Sequence, residues 1–344
     1  MPYNAIDLFC GCGGVTQGLK DAGFNVVLGV EKSSAPACVY KINHPEVKLF
    51  ERDITELPLD EVAEVCKKKT IHLIAGCPPC QGFSSIRRHN KRQPVEDPRN
   101  TLVYEYYRYI EEFMPFVFIF ENVPSIESYS LFVEIRERLI AMGYEIDYKI
   151  VNVANYGVPQ RRKRFVMIGS RIGRILIPSG DNIVTTVRNV IGSLEKPEES
   201  NDYAHTIVAR HIPRILKMIQ LVPHDGGSRA DLPEEYKLEC HKKDGIGFRD
   251  VYGRLSWDDV SSTITGGCLN PSKGRFLHPE QDRTISAREA ALLQTFPRNY
   301  IFPPEVTKTE IALMIGNALP PQFTYHQAKH IASELERYGI PSII

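Results

Sequence analysis

Through the first 170 residues, short apolar runs alternate with stretches in which apolar side chains recur at helical spacing. Strand candidates are 5–9, 26–30, 71–75, 116–120 and 165–168, and helix-compatible segments are 15–22, 59–66, 102–113 and 131–142. That rhythm predicts an α/β protein with a doubly wound, Rossmann-like sheet whose ligands bind at the carboxyl ends of the strands. From about Ile177 the rhythm fails. Residues 178–280 mix Gly, Pro, Ser and charge with short β-prone pieces, notably 261–265, and predict a smaller, loop-rich, β-containing domain. Helical periodicity returns at 287–294, 310–314 and 325–338, as if the chain re-enters the first domain. The expected division is therefore 1–176 plus 281–344 against 177–280.

Composition narrows the class. A chain of 344 residues with 42% hydrophobic content is long enough for one large domain and one smaller one. The longest apolar runs, such as 116–120, are far short of a membrane span, and the N-terminus enters a strand-like segment with no basic then apolar leader. A cytoplasmic protein, nucleoid-associated in a bacterium, with no membrane partner is expected. Eight scattered cysteines suggest reduced thiols. Lys plus Arg and Asp plus Glu balance at 42 each, so whole-molecule charge gives no attraction to a polyanion. Local charge does: 85–92 holds four basic residues and no acid, and 161–174 holds six and no acid.

The segment Gly76-Cys77-Pro78-Pro79-Cys80-Gln81-Gly82-Phe83 follows a strand candidate directly. Prolines stiffen this loop and glycines let it bend, which suits a poised thiol nucleophile; a redox C-x-x-C pair and half a zinc site are the alternatives. Asp7-Leu8-Phe9-Cys10-Gly11-Cys12-Gly13-Gly14 is a glycine-rich turn between the first strand and helix, suited to a nucleotide-like ligand. Thr16 stands where the dinucleotide fingerprint needs its third glycine, which disfavours a diphosphate. Glu31 ends the second strand where an acid accepts ribose hydroxyls, and Asp53 follows the third strand within reach of an adenine amino group. Glu121 closes the run 116–120, where partial desolvation favours the form that donates a proton. In Gln160-Arg161-Arg162-Lys163-Arg164, strand alternation would put Arg162 and Arg164 on one side, suited to carbonyl or phosphate oxygens. Residues 316–321 (GNALPP) read as a rigid turn.

Taken in order, 7–14, Glu31, Asp53, 76–84, 121–123, 160–164, 283–297 and 316–321 make the chain resemble the cytosine-5 DNA methyltransferase family nearly end to end. The resemblance implies a methyltransferase sheet with a target-recognition domain, double-stranded DNA as substrate, S-adenosylmethionine as cofactor and S-adenosylhomocysteine as product. It implies Cys80 as nucleophile, Glu121 as the acid at ring nitrogen 3, Arg164 on the cytosine carbonyl, and Arg162 at the pocket and nearby phosphate. It places the cofactor among Asp7, Phe9, Gly11, Gly13, Gly14, Glu31, Asp53, Pro79, Leu102, Asn317 and Leu319. Gln81, Ser84, Arg87, Arg88, Arg92 and Arg161 are the implied DNA contacts, with no metal. A monomer is expected, working beside a separate restriction endonuclease if one exists. Two rivals remain at this point: an RNA (tRNA) cytosine-5 methyltransferase and a C-x-x-C thiol oxidoreductase. The segment 252–257 (YGRLSW) with 263–265 favours the DNA enzymes. The family more often has glycine at position 77 and no cysteine at 10 or 12, which suggests an oxidation-sensitive enzyme.

Overall fold

The computed structural model describes residues 2–67, 69–79, 102–237 and 250–343, which fold into two compact units. The first comprises the described parts of Met1–Tyr156, Lys163–Asp181 and Leu319–Ile344; the second, those of Gly157–Arg162 and Asn182–Ala318. In the first unit seven strands form one sheet: β1 (Asn4–Leu8), β2 (Asn25–Glu31), β3 (Lys48–Glu51), β4 (Leu73–Gly76), β5 (Val117–Asn122), β6 (Glu145–Asn152) and β7 (Lys163–Ser170). Their order is β3-β2-β1-β4-β5-β7-β6; β1 to β5 run parallel, while β7 is antiparallel to both β5 and β6. The five apolar runs fall on β1, β2, β4, β5 and β7. β6 escapes that pattern because an edge strand is covered on one flank only, and Tyr148 and Ile150 stay exposed.

Helices α1 (Gly14–Asp21), α2 (Ser34–Asn43), α3 (Leu59–Cys66), α4 (Leu102–Phe113) and α5 (Ser130–Ala141) connect the strands, and Pro321–Arg337 forms a C-terminal helix. Strand alternation divides the two faces. Ile6, Leu8, Ile74, Phe118, Phe120, Phe165 and Met167 share one core with Val62 of α3, Tyr106 and Ile110 of α4, and Phe132 and Ile135 of α5. On the other face Ala75 and Ile119 meet Val15 of α1 and Phe323 of the C-terminal helix. α1 and that helix pack tightly: a Cβ on Gly18 would stand 2.4 Å from the Pro321 carbonyl oxygen, so only glycine fits.

In the second unit the helices are α6 (Val187–Ile191), α7 (Tyr203–Thr206), α8 (Pro213–Leu221), α9 (Ala287–Leu293) and α10 (Lys308–Asn317). Among the described residues its β content is limited to isolated bridges: Gln160 with Ser261, and Leu277 with Arg254 and Thr284. The β-prone piece 261–265 does not extend into a strand, because the Ile264 N–H donates to the Gln160 side chain instead of a neighbouring strand. The division also differs from the expected one, since residues 281–318 belong to this unit. Buried polar contacts explain it. The Arg288 guanidinium, 4% exposed, holds Asp202 and the Tyr300 carbonyl, and His205 meets the Ser286 hydroxyl at 2.8 Å while α9 packs on α6, α7 and α10.

The centre of this unit is Arg254, wholly buried beside Met218, Ile219, Val222, Tyr252 and Leu277. Its guanidinium donates to the carbonyls of Val222, His278, Gln281 and Ile219 at 2.7–3.0 Å and to Asp282 Oδ1 at 2.6 Å. Four carbonyls and a carboxylate thus share one side chain, and its removal takes a donor from each. Arg254→Met should lower unfolding free energy by about 3–5 kcal/mol, read as a fall in the urea midpoint.

Candidate active site

β4 and β5 are parallel neighbours with Gly76 opposite Phe120, so the chain leaving β4 and the carboxyl end of β5 emerge side by side. Gly76 is required by close approach, for a Cβ there would stand 2.6 Å from the Tyr106 ring. Tyr106 is fixed in turn by its hydroxyl, which donates to the Ile119 carbonyl at 2.7 Å. Beyond Gly76 the loop runs through Cys77, Pro78 and Pro79. Buried Asn122 at the end of β5 donates from Nδ2 to the Pro78 carbonyl at 2.9 Å, while its Oδ1 accepts the Val123 N–H at 2.8 Å. A single side chain thereby ties the loop to the strand that carries Glu121.

Glu121 is 7% exposed, and its Oε1 lies 2.8 Å from Arg164 Nε. Register explains the pair: Glu121 faces Val166 on β7, and Arg164 is two residues along on the same face, a diagonal cross-strand neighbour. Cys77, Glu121, Leu319, Phe323, Thr324 and Gln327 line one crevice on the face covered by α1 and the C-terminal helix.

The first loop sits at the carboxyl end of β1. Phe9, Gly11 and Gly13 all have positive φ, at 61°, 54° and 94°, so the backbone turns repeatedly through the left-handed region before Gly14 opens α1. For a phenylalanine this conformation is rare, and such strain gathers at ligand sites. Around Gly11 the space where a Cβ would stand is open. Glu31 at the end of β2 accepts the Gly11 N–H at 3.1 Å and the Ser33 N–H at 2.7 Å. Asp53 lies after β3, held by Lys32 at 2.9 Å and by Thr55. Asp7 is buried; Thr16 Oγ1 donates to its Oδ2 at 2.7 Å, and its Oδ1 has no hydrogen-bond partner among the described residues. Leu102 opens α4 and packs on the main core.

Several expectations change. Arg162 does not share a face with Arg164: β7 begins at Lys163, and Arg162, 3% exposed in the second unit, donates to the carbonyls of Ile264 and Gly316 at 2.9 and 3.0 Å. These carbonyls hold the Arg162 guanidinium in a buried position. Arg161 is exposed and bidentate to Asp259 at 2.6 Å, a surface pair weak enough for phosphate to displace. Asn317 ends α10 on the surface of the second unit. Cys80, Gln81, Ser84, Arg87, Arg88 and Arg92 lie outside the described residues.

The thiols at 10, 12 and 77, on which the expected oxidation sensitivity rests, are all shifted toward the protonated form. Burial raises Cys12 to about 12 and lifts Cys10 well above the ordinary thiol range. Cys77 is also well raised, by burial first and then by the carboxylates of Glu121 and Asp7, with the thiol hydrogen-bonded to Glu121. A thiol held in its protonated form is a poor nucleophile and a poor redox partner.

A glycine-turn loop, a Pro-Cys loop and a buried acid–arginine pair at the carboxyl ends of adjacent strands have a counterpart among known proteins: the model of the C-5 cytosine-specific DNA methylases matches residues 3–333. The chain belongs to that family. Its activity is methyl transfer to carbon 5 of cytosine in DNA. The methylase is 37% identical to the type II methylase M.HgiDII of Herpetosiphon aurantiacus, an alignment covering 96% of this chain and 95% of the relative. It is 31% identical to the type II methyltransferase M1.HphI of Haemophilus parahaemolyticus, over 93% of this chain and 84% of that one. A crystal structure of a prophage-encoded DNA modification methyltransferase from E. coli matches with a TM-score of 0.70 at 25% identity, covering 97% and 99% of the two chains. The S. pombe Dnmt2 methyltransferase shares the fold, with a TM-score of 0.64 at 19% identity over 97% and 99%.

The methylase site also contains residues that pattern reading passes over. Asn122 was legible only as a polar residue at a strand end, and Thr324 and Gln327 as polar positions on an otherwise apolar helix face between Phe323 and Ile331.

Asp7 gives the site a pH signature. Burial raises its carboxyl from the ordinary 3.8 to about 7, with Thr16 opposing and Glu31 adding. Between those values the folded protein holds a proton that the unfolded chain has released. The stabilisation is therefore complete below about pH 4 and is lost as pH rises through about 7. Replacing Asp7 by Asn should flatten this slope, which amounts to on the order of 4 kcal/mol, in urea titrations run from pH 4 to 8.

Proposed function

We propose that the methylase works by covalent catalysis on a cytosine turned out of duplex DNA, with Cys80 as nucleophile, Glu121 as acid and Arg164 as the carbonyl clamp. The observation that carries this reading is the Asn122–Pro78 hydrogen bond beside the Glu121–Arg164 pair. It ties the loop leading into Cys80 to the strand that presents the acid.

Cytosine carbon 5 is too weak a nucleophile to take a methyl group directly. Addition of the Cys80 thiolate to carbon 6 breaks the 5,6 double bond and pushes electrons toward ring nitrogen 3. Protonated Glu121 donates there, so negative charge does not accumulate on the ring. Arg164, already oriented by the Glu121 side chain, donates to the ring carbonyl oxygen. Carbon 5 becomes the nucleophilic end of an enamine; after it gains the methyl group, loss of its proton and expulsion of the thiolate restore aromaticity and release the enzyme. Extruding the base costs a few kcal/mol, offset by the pocket's contacts.

When bound, S-adenosylmethionine supplies an electrophilic methyl group. The first loop fits its adenosine half: Phe9 gives a partly exposed ring on a left-handed backbone, the space beside Gly11 is open, and Glu31 and Asp53 stand at the ends of β2 and β3. Pro79 and Leu319 would complete the site, Leu319 sharing a crevice with Val15 of α1, and the orphaned Asp7 Oδ1 leaves one buried acceptor. The basic residues Arg87, Arg88 and Arg92, with Arg161, supply phosphate contacts that add affinity without reading sequence. The second unit would read the bases. One chain carries all these residues, which suits a monomer; the enzyme would act in the cytoplasm, alongside a separate restriction endonuclease as the type II names of its relatives suggest.

Cys80→Ser should abolish methyl transfer to duplex DNA and, unlike the parent, form no covalent complex with 5-fluorocytosine DNA on denaturing gels. Glu121→Gln should lower kcat about 10²–10⁴-fold in single-turnover assays. Comparable rates on tRNA and duplex DNA would overturn the DNA assignment.

A further inference from the structure

The second unit contains a cavity of about 530 Å³ to which none of the roles above assigns a ligand. Three cations line it, Arg210, Lys273 and Lys308. All three are exposed, and among the described residues none is in an ion pair and no carboxylate lines the cavity. Gly267 brings the Lys273 stem in close, since a Cβ on that glycine would stand 2.8 Å from it. The interior differs from the rim: Ile215, Leu269, Ala312 and Tyr252 make an apolar, partly aromatic wall. Tyr252 is held there with φ 58°, rare for a bulky residue, its N–H bonded to the Pro271 carbonyl at 2.7 Å. His211, next to Arg210 on the lining, buries its Nε2 with no hydrogen-bond partner among the described residues.

Unpaired cations on an open face need mean no more than solvation. Here they surround a concavity within the size range of ligand pockets, backed by an apolar wall. A bare phosphate would satisfy the rim and leave the apolar interior empty. A flat, uncharged ring attached to that phosphate fills both.

We propose that this cavity binds one nucleotide, with its phosphate on Arg210, Lys273 and Lys308 and its base against Tyr252 and Leu269. The nucleotide is either a unit of the DNA substrate or free in solution; in the first case the inference rests on the methyltransferase reading above.

Titration calorimetry of the full chain with dAMP, dCMP, dGMP, dTMP and inorganic phosphate tests it. At least one mononucleotide should bind once per chain and more tightly than phosphate. The Lys273→Ala/Lys308→Ala double variant should lose about tenfold or more in affinity for each cation removed, with an unchanged melting temperature. Mononucleotides that bind no better than phosphate, or a double variant that binds like the parent, would overturn the proposal. Adding the best mononucleotide at saturation to a duplex methylation assay separates the sources: inhibition identifies a DNA nucleotide, an unchanged rate a free one. A parent protein that binds the mononucleotide but methylates no DNA would leave the pocket standing and refute the catalytic reading.

Discussion

One buried hydrogen bond, from Asn122 Nδ2 to the Pro78 carbonyl, couples the two halves of the candidate site. Parallel pairing of β4 and β5 brings their ends together, but pairing alone does not fix the path of a loop once it leaves the sheet. Two prolines restrict that path, and the amide of Asn122 anchors it from the neighbouring strand. Glu121, one residue earlier, points to the opposite face and is held by Arg164. Loop and acid are thus oriented by adjacent residues of one strand, so a shift in β5 register would displace both.

The arginines show how burial sorts a single residue type into different tasks. Arg254 and Arg162 donate mainly to backbone carbonyls and act as cross-links through the second unit. Arg288 and Arg283 pair with acids, Arg283 with the fully buried Glu289 at 2.7 Å. His278 lies beside this pair and is kept neutral, its ring pushed down to about 4 by burial first. Arg164 alone of these meets a carboxylate in the crevice that Cys77 lines. The planar five-donor guanidinium suits every one of these settings, which is why basic residues near a strand do not by themselves identify a phosphate site.

Much of this was readable from the chain. Central strands announce themselves through unbroken apolar runs such as Val117–Phe120, and the candidate acid stands where that run stops. The glycine turn was legible because Gly11 and Gly13 occupy positive φ, which the run of glycines after Phe9 anticipates. Phe9 itself takes the same conformation, and no pattern foretells a strained aromatic. Other features depended on distant partners. Arg162 turns inward because Ile264 and Gly316, more than a hundred residues later, present carbonyls to it. Residues 281–318 join the second unit because Arg288 and Ser286 find Asp202 and His205. Cys77 stood out only as a thiol where the family more often has glycine, and its hydrogen bond to Glu121 depends on a strand forty residues later. Periodicity reports how a segment is covered and not what covers it.

The tight seat of Gly18 against Pro321 and Thr324 carries a consequence for biogenesis. The opening helix rests on the closing one, and the chain's ends meet again where the Ile343 N–H donates to the Pro2 carbonyl and His72 lies 2.9 Å from the Pro341 carbonyl oxygen. On the ribosome, Val15 and its neighbours therefore emerge long before their cover does. At ~5–20 residues per second the wait is ~15–60 s. Over that interval one side of the nascent sheet is bare, which makes this face the natural place for a chaperone to attend.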